Sequence, residues 1–152
     1  MSLRIRSLLI LSFVYDLLVF ADPEGLQAGR IGEVISTIKA PGPCTTGLAW
    51  DGKNLWVADR RLRKIFCLDA QSGKVLSSFS APYYWPTGLA WDGKALWCAD
   101  RESRMLYRLD KNGKTLRKIK VRTRTPFGLA WDGKFLWLAD VKQRKILKVS
   151  AK

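Results

Sequence analysis

The chain has 152 residues, 47% hydrophobic and 26% charged, enough apolar material for a core and too much for a disordered composition. Its 27 Lys and Arg stand against 13 Asp and Glu, a net charge of +14, and it has no histidine, which excludes imidazole catalysis and His-ligated metal. The excess sits late: residues 101–152 hold 16 basic against 4 acidic side chains, residues 22–100 only 9 against 8. A basic half suits an anionic partner such as nucleic acid, an acidic polysaccharide or a phospholipid surface; a merely solvated basic face is the competing reading.

Residues 1–21 read as a secretory signal. Arg4 and Arg6 form a basic start, residues 7–20 are mostly apolar, and Val19-Phe20-Ala21 ends in a small residue before Asp22-Pro23. Asp16 and Tyr15 interrupt the run, so an uncleaved anchor is the alternative, and no integral membrane domain is expected. The signal implies a secreted or periplasmic protein, which disfavours nucleic acid as the partner. Residues 22–30 follow as a linker, and residues 31–152 form the folded domain.

That domain is organised by repetition. The block Gly-Leu-Ala-Trp-Asp-Gly-Lys-x-Leu-Trp-x-Ala-Asp occurs at 47–59, 88–100 and 128–140. A period of about 40 residues with several short apolar runs is the mark of a β-propeller blade. Each repeat reads as four strands, a to d. In the first, strand a is 47–50, b is 55–58, c is 64–68 and d is 74–80. Asp51-Gly52, Asp92-Gly93 and Asp132-Gly133 are expected to close type I′ hairpins, with Asn112-Gly113 doing so between c and d. The repeats fall near 47–87, 88–127 and 128–150. Residues 32–41 align with 73–82 and are expected to form an extra outer strand d. The fold class is all-β, with three four-stranded antiparallel blades per chain. Three blades are too few for a ring of about four to eight, so a homodimer closing six blades is favoured over a piece of a longer propeller.

Three cysteines make no disulfide framework. Cys98 takes the place of Val57 and Leu138 and is read as core. Cys67 matches Arg108 and Lys148, an outward position. Cys44 lies in a Pro/Gly loop. No cofactor and no metal site are expected.

The three blocks, together with Lys64-Ile65-Phe66-Cys67-Leu68-Asp69 and its copies, resemble the NHL, virginiamycin-B-lyase-like and YVTN-type propellers over about residues 31–150. The resemblance implies the fold and leaves the activity open, since that group spans lyases, lactonases, cyclotransferases and binding scaffolds. Lyases of the virginiamycin type rely on a histidine, so that activity does not carry over. Asn54 and Asn112 are the only asparagines, so the carboxylate–amide metal cluster of the lactonase-like members is not visible either.

Within the repeats, Trp50, Trp91, Trp131, Trp56, Trp97 and Trp137 are read as packing between blades rather than as sugar platforms. Asp59, Asp100 and Asp140 are read as acceptors of backbone N–H groups in the b–c turns rather than as ligands. The loops between repeats are the better place for a site. The d–a loops are 40–46, 81–87 and 121–127. The second holds Tyr83, Tyr84 and Trp85, the only aromatic run outside the repeat, and the third holds Arg122 and Arg124. The b–c loops add Arg60, Arg61, Arg63, Arg101, Arg104, Lys142 and Arg144. Tyr83, Tyr84, Trp85, Arg60, Arg61, Arg101, Arg122, Arg124 and Lys142 are therefore the candidate ligand face, suited to an anionic glycan or a partner protein. A solvated rim is the bland reading. No catalytic residue is nominated. The leading function is a non-enzymatic binding module, and a lyase- or lactonase-like enzyme is the runner-up.

Overall fold

A computed structural model describes residues 31–151. The expected signal at 1–21 and the linker at 22–30 lie outside the described residues, as does Lys152. Two units are distinguished, residues 1–37 and 38–152, and the blades belong to the second. In the first, the described residues 31–37 hold a turn with Gly32 at φ 85° and no strand.

Apolar alternation and the repeated turns produce eleven strands, and among the described residues there is no helix. Blade 1 is β1 (Thr45–Trp50), β2 (Asn54–Asp59), β3 (Lys64–Asp69) and β4 (Val75–Ser80). Blade 2 is β5 (Pro86–Trp91), β6 (Leu96–Asp100), β7 (Met105–Leu109) and β8 (Thr115–Lys120). Blade 3 is β9 (Pro126–Trp131), β10 (Phe135–Asp140) and β11 (Lys145–Ser150). Each blade is an antiparallel meander in chain order, and the third has three strands rather than four. The outer strand expected at 32–41 is not a strand, because residues 33–40 join no ladder.

The blades stack face to face. We call the face toward the preceding blade the front and the opposite one the back. The back of blade 1 (Ala49, Trp56, Ala58, Ile65, Cys67) meets the front of blade 2 (Leu89, Leu96, Cys98, Tyr107, Leu109). The back of blade 2 (Ala90, Trp97, Ala99, Leu106) meets the front of blade 3 (Leu129, Leu136, Leu138, Leu147, Val149). At about 25 cal/mol per Å2 of apolar surface, these two joints dominate the stability. Trp56 and Trp97 fill them and Trp91 and Trp131 pack at their edges, as the repeat implied, whereas Trp50 and Trp137, on the two end faces, are exposed rather than packed between blades.

Innermost strands approach backbone to backbone. Thr46 Oγ1 donates to the Pro86 carbonyl at 2.9 Å, and Thr87 Oγ1 to the Pro126 carbonyl at 3.1 Å. A Cβ on Gly47 would meet the Thr87 carbonyl, and one on Gly88 the Phe127 carbonyl. Glycine at these two positions lets neighbouring blades close.

Two expectations are corrected. The Asp-Gly hairpins are not type I′, which needs positive φ at both central residues; only Gly52, Gly93 and Gly133 have it, their aspartates do not. The aspartate instead accepts with its side chain: Asp51 Oδ1 takes the Lys53 and Asn54 N–H groups at 2.9 and 2.7 Å, while Oδ2 takes the Trp56 indole at 2.9 Å. Asp92 and Asp132 do the same for Trp97 and Trp137. Asn112-Gly113 likewise has only its glycine at positive φ. Cys67 is buried in the joint between blades 1 and 2, not outward. Arginine or lysine at the matching positions 108 and 148 can extend its head to the rim, whereas a thiol is short enough to stay inside.

Candidate functional site

The d–a and b–c loops emerge on one side of the stack, and one aspartate per blade ties them together. Asp100, fully buried at the end of β6, accepts the Trp85 N–H at 2.6 Å through Oδ2. Its Oδ1 accepts the Glu102 N–H at 3.0 Å, the Ser103 N–H at 2.8 Å and the Ser103 hydroxyl at 3.0 Å. Asp59 holds the Cys44 and Leu62 N–H groups at 2.6 and 2.7 Å. Asp140 holds the Thr123 hydroxyl and the Arg124 N–H at 2.6 Å, and the Gln143 N–H at 2.9 Å. Enclosure pushes the Asp140 carboxyl up, but the Thr123 hydroxyl and the Gln143, Arg124 and Thr125 amides outweigh it and hold it well below the usual range. The aspartates thus serve as the backbone acceptors read from the repeat. Their reach into the preceding d–a loop is additional, and it fixes where Trp85 and Arg124 stand.

Trp85 is the centre of the face. The Arg60 guanidinium from blade 1 lies 4.8 Å from its ring centroid and the Arg101 guanidinium from blade 2 lies 4.6 Å away. Beside it, Tyr84 carries Arg63 at 4.6 Å and packs edge-on against Tyr83 with centroids 4.8 Å apart. Two open grooves share Trp85 and Glu102. One, of about 500 Å3, is lined by Arg60, Arg61, Arg63 and Tyr84; the other, of about 740 Å3, by Arg101, Arg104, Arg124, Thr125 and Lys142. Glu102 is the single acid among those lining residues. Tyr83 lines a third depression with Leu62, Arg63 and Pro82. Of the nine residues nominated from the sequence, only Arg122 lines none of these grooves.

The b–c turns add a feature that composition does not reveal. Arg63, Arg104 and Arg144 occupy the same turn position in each repeat at φ 54°, 58° and 56°, the only described non-glycine residues at positive φ. An L side chain there costs roughly 1–2 kcal/mol, which glycine avoids. Arginine is therefore held in that position against backbone preference, three times over, on the face that carries the other arginines.

Among the described residues, no three His, Cys, Asp or Glu side chains cluster closely enough to hold a metal ion. Asp92, with Arg108 Nε donating at 2.6 Å, is an ion pair on another part of blade 2. Burial pushes its carboxyl up, and Arg108, the Ala95 and Lys94 amides and the Trp97 indole bring it below the ordinary value.

No protein-family model and no curated protein sequence matches the chain. Solved structures do. A catalytically inactive virginiamycin B lyase from Staphylococcus aureus with quinupristin aligns at 22% identity and TM-score 0.62, over 76% of this chain and 41% of its own. A nidogen/laminin complex aligns at 18% identity and 0.61, over 70% and 44%. Glutaminyl cyclase from Myxococcus xanthus aligns at 18% and 0.52, over 71% and 51%. The fold is that of a β-propeller. The chain spans about two-fifths to one-half of the length of these propellers, and at such identities the likeness carries the fold alone. It agrees with the propeller resemblance drawn from the repeat, and the propellers it matches include enzymes as well as a member of a binding complex.

Proposed function

We propose that the chain is a non-enzymatic binding module whose loop face holds an anionic glycan. The observation that carries this is Trp85 with two guanidinium groups against its ring, at the meeting of two basic grooves. Guanidinium forks pair with carboxylate or sulfate groups, and the indole between them sets the spacing of the two forks. The stacking also holds the arginines in place before a ligand arrives, which lowers the entropic cost of binding. Arginine at the three left-handed turn positions supports the same reading. The basic start and apolar run of residues 1–21 support a location outside the cytoplasm, where such glycans are met; the N-terminal residue of exported protein reads it directly.

The test is elution of the full chain from a sulfated-polysaccharide column in rising salt. Arg60→Ala with Arg101→Ala, and separately Trp85→Ala, are expected to elute at clearly lower salt. The comparison is Lys118→Ala with Lys120→Ala on β8, which removes equal charge from another region. Equal loss in both double variants would mean that net charge alone drives retention, and the proposal would fail.

A further inference from the structure

Each end of the blade stack carries half of a joint that the chain already builds twice. The front of blade 1 exposes Leu48 and Trp50 on its innermost strand, while Val57, Phe66 and Leu68 on the next two strands are already buried. Leu48 is 57% exposed, whereas Leu89, its equivalent in blade 2, is 3% exposed against blade 1. The back of blade 3 presents Trp137 and Ile146 at 37% and 74% exposure; their equivalents Trp97 and Leu106 are at 0% between blades 2 and 3. The exposed apolar residues thus lie on the inner edge of a blade front at one end and on a blade back at the other, and fronts meet backs at both internal joints.

Gly128 points the same way. Gly47 and Gly88 are needed because the next blade's backbone lies against them. At Gly128 a Cβ would meet only the Ala139 Cβ, at 3.7 Å, and φ there is not positive. Nothing within the described chain requires glycine at that position, and a further blade arriving at the back of blade 3 would.

The missing outer strand is the third observation. Residues 34–39 match β4 and β8 in register, and Gly32 at φ 85° matches Gly73 and Gly113 at 70° and 86°. Ile38 lies over Gly73 as Phe79, from β4 of the neighbouring blade, lies over Gly113. Ile38 therefore makes the contact of an outer strand belonging to a blade in front of blade 1. Residues 33–40 have no sheet, and β11 has no outer neighbour among the described residues.

We propose that two copies of this chain join head to tail into a six-bladed ring, each lending residues 34–39 as the outer strand beside β11 of the other. A front-to-back contact is heterologous, and two such joints close by two-fold symmetry within the usual blade count. A second copy is the occupant because the exposed front and back residues at the two ends complement each other, so one sequence supplies both sides of the joint. At the inner rim Phe127 takes the place of Thr46 and Thr87, so the new joint substitutes apolar contact for their hydroxyl bond.

The experiment is solution mass by light scattering on the full chain across a dilution series. A two-chain species is expected. Leu48→Glu and Ile146→Lys, each at an exposed position, are expected to give folded single chains. Mixed together, they are expected to recover the two-chain mass, because one of the two joints is then unaltered on both faces. Gly128→Ala is expected to weaken association while leaving the circular dichroism of the single chain unchanged. A single-chain mass at every concentration, open polymers that lengthen with concentration, or a mixture that stays single-chain would overturn the proposal.

Discussion

Asp100 ties two loops to the core through four hydrogen bonds, and its removal gives a defined loss. Asp100→Ala takes the acceptor from the Trp85, Glu102 and Ser103 N–H groups and from the Ser103 hydroxyl. The hydroxyl can turn to water. The three amides lose charge-assisted bonds worth about 1 kcal/mol each net, partly restored by water because the loops lie at the surface. Expected destabilisation is about 3 kcal/mol, with about half of it recovered by Asp100→Asn, which keeps one carbonyl oxygen. Guanidinium unfolding followed by tryptophan fluorescence at fixed protein concentration reads this as a lower midpoint with an unchanged slope. A loss below about 1 kcal/mol would refute the view that this carboxylate organises the face, because it would equal one ordinary surface bond.

Acid sensitivity follows from the same set of carboxylates. Asp140, Asp92, Asp51 and Asp132 all have folded pKa values below their ordinary ones. Their contribution is present in full above the unfolded value of about 3.9 and is lost as pH falls through the folded values, so unfolding free energy should be flat near neutrality and decline below about pH 4. Asp140→Asn should make that decline shallower in urea titrations. Arg104→Gly should raise the thermal midpoint by the equivalent of about 0.5–1 kcal/mol, relief of the left-handed strain exceeding the added freedom of the unfolded chain. Gly88→Ala should destabilise by about 1–3 kcal/mol or prevent folding, since its Cβ would press on the blade 3 backbone; a neutral effect in chemical denaturation would count against the tight inner packing.

The blades were legible because Gly-Leu-Ala-Trp-Asp-Gly is repeated nearly whole, and each copy carries both its strand alternation and its turn. The turn type was not, since Asp-Gly suits two geometries and only the backbone shows that the aspartate bonds through its side chain. Cys67 was misplaced because its repeat partners are Arg108 and Lys148, long enough to leave a buried position by their heads. Residues 34–39 carry the pattern of an outer strand, yet pairing depends on a neighbour that pattern alone cannot supply. That the nominated loop residues, Arg122 apart, gather in the grooves around Trp85 and Tyr84 was legible from loop position. The stacking of Arg60 and Arg101 was not, because their repeats are separated by a full blade in sequence. The left-handed arginines were invisible for another reason: arginine carries no preference for that conformation.

The aspartate that closes each b-strand touches its loops almost entirely through main-chain N–H groups, the exceptions being the Ser103 and Thr123 hydroxyls. Main-chain groups are the same whatever side chain sits above them. The loop residues can therefore be exchanged blade by blade while the anchor, and the loop path it dictates, stay constant. The scaffold is thus a socket with three interchangeable tips, open to drift or to deliberate grafting toward a new ligand without any change in the strands beneath.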